Sequence, residues 1–526
     1  MKKGFSDLEI QRKSGTNRSG SAGACDATPT LNTTQPLGKR GHAMSDNKST
    51  SIGTSNQSYA EFIQRKSQAG NPLGFAPLWM PSALFDFQAY LVEWALRQGR
   101  AAVFADCGLG KTPVALTWSE NVVRHANRPV LILTPLAVSH QVVREAEKFG
   151  IEAHRSTDGK PCPNITVTNY ERLDRFSPDD YAGVVCDEAS IIKHWSGATQ
   201  KLVTRFLSKM PYRLLCTATP SPNDYIEMGT LSEALGGLTY TDMLGTFFRQ
   251  LSDDEKKKRA TADDIIHSKR LSWRVIQSFG QWVLRAHAFE PFWKWVASWA
   301  RACRKPSDLG PFDDARFVLP ELIRRDHMVT PRTAPPGFLF TIPAFGLNQE
   351  RAERRRTLDE RSELVAQLVY HSDPAVVWCH LNPEGDRLEK EIKGAVQVKG
   401  SQSMDEKEEL ILSFLSGQSR VLVTKAKIAG LGLNLQHCAH VVTFVDHSFE
   451  KFYQCIRRCW RFGQKRPVTL DVIATEGEVN VKRNMERKEA LAAQMFESVV
   501  RYMNEALNVK AEKAITPVQL PHWLTN

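Results

Sequence analysis

The chain is sparing with cysteine, ten in 526 residues, and no two of them form a Cys-x-x-Cys pair. That scatter argues against a zinc ribbon and against a disulfide framework, and it suits a reducing compartment. The nearest pair, Cys455 and Cys459, and the His437-Cys438-x-His440 cluster read as ordinary packing rather than metal ligands. No run reaches the roughly 18 apolar residues of a membrane span. The amino terminus has no apolar signal core after Lys2 and Lys3. No membrane partner is expected, and the location is expected to be cytoplasmic. Acidic residues are outnumbered, 58 against 69 Lys and Arg, for a formal net charge of +11. With 42% hydrophobic residues, this is a balance for a soluble globular protein with a polyanionic partner. The length implies roughly two to four domains.

Large apolar residues are also scarce from 1 to 57, where Ser, Thr, Asn and Gly dominate. Such a segment cannot offset its ordering entropy, so a disordered arm is expected. Ile10-Gln11-Arg12-Lys13-Ser14 recurs as Ile63-Gln64-Arg65-Lys66-Ser67, either a duplicated arm or an accident of an upstream start, with Met44 as another candidate start. From about 85 to 236 short apolar runs alternate with amphipathic stretches, at Ala101 to Ala105, Val130 to Leu133, Ile165 to Thr168, Gly183 to Cys186 and Arg213 to Cys216. A second series covers Ala375 to Cys379, Arg420 to Thr424, Val441 to Val445 and Val468 to Ile473. Strand and helix in alternation predict α/β structure with two parallel sheets, one lobe at 58–240 and another at 346–480. Between them a largely helical insertion is expected at 241–345, and a helical tail at 481–526. The insertion carries Lys256-Lys257-Lys258-Arg259, either a solvated face or a phosphate clamp. Its stripe of Phe292, Trp295, Val296 and Trp299 suits a helix core better than a base-stacking platform.

Asp106-Cys107-Gly108-Leu109-Gly110-Lys111-Thr112 follows a predicted strand and opens a predicted helix, the setting of a phosphate-binding loop. Gly108, Leu109 and Gly110 would offer backbone N–H groups to phosphate oxygens, Lys111 would reach the β and γ phosphates, and Thr112 would ligate Mg²⁺. Ala105 stands where the strict pattern has its first glycine, so the loop alone could be a glycine turn before a buried helix. Asp187 and Glu188 end another buried strand, where parallel sheets bind their ligands. Asp187 would hold the magnesium and Glu188 would orient or deprotonate the attacking water. Capping of the next helix is the alternative. In the second series, Gln454-Cys455-Ile456-Arg457-Arg458-Cys459-Trp460-Arg461 would place Arg458 and Arg461 on one helix face, aimed at a γ-phosphate or else at solvent.

This ordered set resembles the Swi/Snf-type branch of the superfamily-two helicases, and more narrowly the shorter helicases often encoded by bacteriophages and prophages. The resemblance spans about 58 to 480. It implies two RecA-like lobes with ATP between them and movement on DNA, in a bacterial or phage-infected cell, with replication or recombination proteins as candidate partners. It assigns Gln88, in Phe85-Asp86-Phe87-Gln88, to adenine reading, and Asp106 to Thr112 to motif I. Thr134-Pro135-Leu136 and Thr168-Asn169-Tyr170 look like strand-contacting motifs. Asp187 to Ser190 is similar to motif II and Thr217-Ala218-Thr219-Pro220 to motif III, which couples hydrolysis to lobe movement. Ala429 to Leu435, including the nucleotide-side Gly432, resembles motif V, and Gln454, Arg458 and Arg461 match motif VI as catalytic residues. Two positions depart from the family. Arg457 stands where Gly or Asp is frequent, and Ala189-Ser190 replaces Ala-His or Gly-His, both away from the atoms expected to react.

An ATP- and Mg²⁺-dependent DNA helicase or translocase is therefore expected. The motor subunit of a restriction or defence system is a rival, although Asp386 and Glu391-Ile392-Lys393 are too crowded to read as a nuclease. The rival from another class is an ATP-gated clamp on nucleic acid.

Overall fold

The computed structural model describes residues 73–515 apart from 136–137, 256–281, 427 and 429–433. The arm at 1–57 and its repeated string, the basic run Lys256 to Arg259, Leu136, the glycine segment with Gly432 and the end of the tail lie outside the described residues.

Short runs of Val, Ile, Leu, Ala and Cys, buried at almost every position, become strands covered on both faces, as parallel strands must be. In the first lobe these are β1 Arg100–Ala105, β2 Val130–Thr134, β3 Ala153–Arg155, β4 Ile165–Asn169, β5 Gly183–Asp187 and β6 Tyr212–Cys216. After an antiparallel pair of short strands, β7 Phe248–Gln250 and β8 Trp282–Leu284, comes β9 Ala300–Cys303. The sheet runs β3-β4-β2-β5-β6-β1-β9, parallel throughout. Helix α1 (Asp86–Gln98) leads into β1, and α2 (Lys111–Ala126) leaves it. The second lobe has β10 Leu322–Val329, β11 Ala375–Trp378, β12 Ala395–Gln397, β13 Val421–Thr424, β14 His440–Phe444 and β15 Val468–Thr475, in the parallel order β10-β15-β14-β11-β13-β12.

The stretch expected as a helical insertion does contain helices, Tyr240–Phe247 and α3 Phe289–Trp299, but it also feeds both sheets. β9 pairs with β1 and β10 with β15, so the first lobe runs on to Cys303 and the second begins at Leu322. Ala300-Arg301-Ala302-Cys303 is too short and mixed to read as a strand. It becomes one because Arg301 tucks its guanidinium over the Trp94 ring, 4.3 Å from the centroid. The stripe Phe292, Trp295, Val296 and Trp299 is buried in the first lobe's core.

The tail is one long helix, α7 Val479–Ile515, after the helices α4 Leu358–Leu368, α5 Asn382–Glu391 and α6 Phe449–Ile456. Its Val481 and Met485 pack in the second lobe, whereas Met495, Phe496, Val499, Tyr502 and Met503 complete the core of the first. Those positions recur at helical spacing, so one apolar face spans both lobes. Tyr225 donates to Gln494 Oε1 at 2.9 Å and Arg304 to the Ala493 carbonyl at 2.9 Å, on the first lobe's side.

Beneath the second sheet, Arg361 of α4 lies 2.8 Å from Glu384 of α5, both fully buried. Burial opposes ionisation of Glu384, but Arg361, His380 and the backbone N–H groups of Leu381 and His380 outweigh it and hold the carboxyl below its ordinary 4.5. A depressed folded pKa stabilises the fold above the unfolded value and loses that contribution as pH falls through the folded one. Glu384→Gln is expected to destabilise the second lobe by about 3–5 kcal/mol at pH 7, by leaving Arg361 unpaired. In denaturant titrations the gap from wild type should narrow as pH falls below that ordinary value. A gap independent of pH would show that the charge is immaterial.

Candidate active site

The carboxyl ends of β1 and β5 lie one strand apart, with β6 between them, and each carries a loop that its sequence makes unusual. After β1, Gly108 (φ +92) and Gly110 (φ +79) adopt left-handed backbone that only glycine tolerates at low cost. A Cβ on Gly108 would lie 3.1 Å from the backbone N of Phe462, and one on Gly110 would lie 2.2 Å from Gln88 Nε2. Gly110 is the N-cap of α2 and supplies no side-chain bond to that helix, leaving the N–H groups around Lys111 and Thr112 facing the loop.

Lys111 donates to the Ala105 carbonyl at 3.0 Å, folded back under the loop. Burial works against its charge, but Cys107, Glu188, Asp187 and Asp106 around it prevail, and its pKa stands above 10.5. Asp187 is pushed up to about 7 by burial and by the adjacent Glu188, against the pull of Lys111 and Arg458. Tyr170, at the end of β4, donates to the Asp187 carbonyl at 2.7 Å and fixes the strand end.

Glu188 occupies the N-cap position of the short helix Ala189–Ile192, yet its side chain makes no cap bond. Its backbone is left-handed (φ +52), a strained choice for a non-glycine residue. Its Oε2 is buried and meets no donor. The capping alternative therefore fails. Asp187, whose ionisation burial and the adjacent Glu188 oppose, beside a Glu188 oxygen that has no donor, fits a divalent cation whose positive charge would favour the Asp187 carboxylate. Asp187 and Thr112, the latter in the first turn of α2, are the residues to hold it.

The arginines come from the second lobe, with one correction. Helix α6 ends at Ile456, so Arg458 and Arg461 lie on the turn beyond it rather than on a helix face. The turn is held by Gln464, whose Nε2 donates to the carbonyls of Gln436, Cys438 and Cys459 at 2.8, 3.0 and 3.3 Å. Arg458 acts electrostatically on Asp187. Arg461 lies near Cys107 of the loop, and burial, with Arg458 and Arg457 beside it, lowers its pKa. Its buried Nε has no partner. Clustered guanidinium groups with an unused donor are suited to an anion. Gln454 is half-buried on α6. Gln88 is drawn to the loop rather than left free. Its Oε1 accepts from Phe85 N at 3.1 Å and its Nε2 donates to the Leu109 carbonyl at 3.0 Å, so reading a base would require exchanging the second bond.

Arg457, expected to lie away from the reacting atoms, reaches the start of the phosphate loop rather than the residues expected to react. It donates to Asp106 Oδ2 at 2.9 Å and to the Cys107 carbonyl at 2.7 Å, in the phosphate loop itself. Tyr453, on α6, donates to Asp106 Oδ1 at 2.5 Å. Ser190 and Lys193, just past the acidic pair, both bond Glu450 of α6. No sequence signal singles out Glu450 or Tyr453, Tyr170 is visible only as part of a strand-contacting motif, and Arg457 is visible as a departure without its reason.

Residues 361–463, most of the second lobe, match the helicase conserved C-terminal domain. The mouse DNA annealing helicase and endonuclease ZRANB3 is 26% identical over 188 residues, covering 32% of this chain and 17% of that protein. Eukaryotic initiation factor 4A of Dictyostelium discoideum is 28% identical over 118 residues, 22% of this chain and 28% of that one. The chain thus spans under a third of the length of these curated relatives. The Sulfolobus solfataricus SWI2/SNF2 ATPase core in complex with double-stranded DNA has a TM-score of 0.36 at 15% identity, with 81% of this chain and 98% of that one covered. In its second lobe the chain is helicase-like.

Proposed function

We propose that the chain hydrolyses Mg-ATP between its two lobes and couples the turnover to movement on DNA, as a helicase or translocase in the cytoplasm of a bacterial or phage-infected cell. The observation that supports this best is Glu188, a half-buried residue that caps nothing and whose Oε2 meets no donor, set beside Asp187 and Lys111, with Arg458 of the other lobe acting on Asp187. In this reading the loop from Gly108 to Thr112 holds the phosphates and Lys111 neutralises their charge. Asp187 and Thr112 would hold magnesium, which when bound would supply positive charge to the phosphates. Glu188 orients and deprotonates the attacking water, and Arg458 and Arg461 stabilise the charge that develops on the γ-phosphate. The helicase domain match and the helicase named among the relatives support the motor, and the excess of Lys and Arg supports DNA as its track.

The test is whether the two lobes answer to DNA together. ATP hydrolysis is expected to rise on adding DNA, and the rise to fade with salt as phosphate contacts give way to counterions. Arg461→Ala is expected to keep ATP affinity and lose the DNA response, since the first lobe supplies most of the binding. A variant that still responds would remove the two-lobe motor. DNA-stimulated turnover without displacement of a bound strand or block would instead favour the ATP-gated clamp.

A further inference from the structure

The two positions at which this chain departs from the helicase pattern, Ser190 and Arg457, touch the same helix face. Glu450, Tyr453 and Arg457 are spaced three and four apart, so they line one side of α6 and its first turn beyond. Glu450 receives Ser190 and Lys193, which follow Asp187 and Glu188 on the loop after β5. Tyr453 and Arg457 converge on Asp106, which opens the loop after β1, and Arg457 also reaches the Cys107 carbonyl. Asp106 is itself braced by the Cys107 N–H at 2.6 Å. The Arg457 guanidinium is 4% exposed and packs over the Trp460 ring, 4.9 Å from the centroid. Burial opposes its charge, but Asp106, Tyr453 and Cys107 hold its pKa above the ordinary value.

From this geometry we infer that α6 is a strut between the two loops of the nucleotide site, with Glu450, Tyr453 and Arg457 as positioning residues that set both loops against the Arg458–Arg461 turn. The inference rests on the proposed nucleotide site and adds a specific coupling to it. A buried, charge-assisted bond resists bending because either charge left unpaired in the interior is costly. The strut is short and helical, and its two ends grip the two loops that would hold the phosphates and the attacking water. A shift of one loop is therefore passed to the other through a rigid element rather than through the sheet. It also explains why Arg is needed at 457. Gly or Asp there would leave the Asp106 carboxylate, on a side chain 8% exposed, hydrogen-bonded by Tyr453 and the Cys107 N–H alone.

The experiment is hydrogen exchange on the nucleotide-free full chain, read over 106–112 and 188–194, for wild type, Arg457→Ala, Tyr453→Phe and Glu450→Gln. The last two keep side-chain shape, so they report even if Arg457→Ala folds poorly. Each variant is expected to speed exchange in both segments, because both hang on one helix. Each loosening only its own partner, or neither, overturns the strut. Turnover gives a second readout. kcat is expected to fall on the order of a hundredfold in Arg457→Ala, with the binding of a fluorescent ATP analogue little changed and partial recovery in Arg457→Lys. Asp106→Asn added to Arg457→Ala should cost little more than either alone, whereas losses that multiply would show two independent roles. If wild type hydrolyses no ATP, the proposed function falls, while the exchange pattern still decides the strut.

Discussion

Lys111→Ala is expected to reduce ATP hydrolysis to background, a loss of about a hundred- to a thousandfold or more. Lys111 supplies the ammonium under the phosphate loop, and Lys193, on the loop after β5, is committed to Glu450. Its one hydrogen bond is to the Ala105 carbonyl, which other donors can satisfy, so folding should survive the change. Nucleotide affinity should weaken as well, because the ammonium neutralises charge in the bound state and not only in the transition state. The loss has a further electrostatic consequence. Lys111 restrains the rise of the Asp187 pKa, already at about 7, so without it the carboxyl should stay protonated to higher pH. The variant should then need more magnesium for any residual activity, increasingly so as pH falls, since a metal ligand must first lose its proton. Phosphate release and binding of a labelled nucleotide, alongside a melting curve, measure all of this. Turnover near the wild-type rate in a folded variant would remove the assigned site.

Glu188→Gln is expected to leave ATP bound and almost unhydrolysed, a fall of about a hundred- to ten-thousandfold in turnover. The amide keeps the volume and the left-handed backbone but cannot take a proton from water. Because no N–H of the following short helix depends on the carboxylate, the melting temperature should hardly change. Removing the neighbouring charge also lets the Asp187 pKa fall, so nucleotide and magnesium should bind at least as well as in wild type at neutral pH. A complex retained on DNA with ATP intact is the expected signature. Normal turnover with lost stability would return Glu188 to the role of a helix cap.

Much of this was legible in the residues alone. The strands were visible because two-sided burial in a parallel sheet demands continuous apolar runs, and the nine runs picked out from sequence correspond to β1, β2, β4, β5, β6, β11, β13, β14 and β15. Lys111, Asp187 and Glu188 were visible because phosphate chemistry restricts residue types at the end of a strand, and a local pattern carries that restriction. β9 was not visible, since a short strand with a charged residue depends on the neighbours that cover it, and β10 was not visible because its eight residues include Arg324, Arg325 and Asp326 and form no continuous buried apolar run. Arg301 needs the face of Trp94, more than two hundred positions earlier in the chain, and no window along the sequence contains both.

The sequence by itself determined the α/β class, the loops at the strand ends and the acidic and basic groups they carry, because each follows from periodicity, burial or chemistry within a few residues. Only the tertiary structure decided that the arginines stand on a turn past the end of α6, that α7 closes the core of the first lobe, and that Arg457 answers Asp106. The pair lies 351 positions apart, and its worth depends on both charges being buried together. Burial of a charge against its counterpart is a property of distance in space, to which separation along the chain is blind.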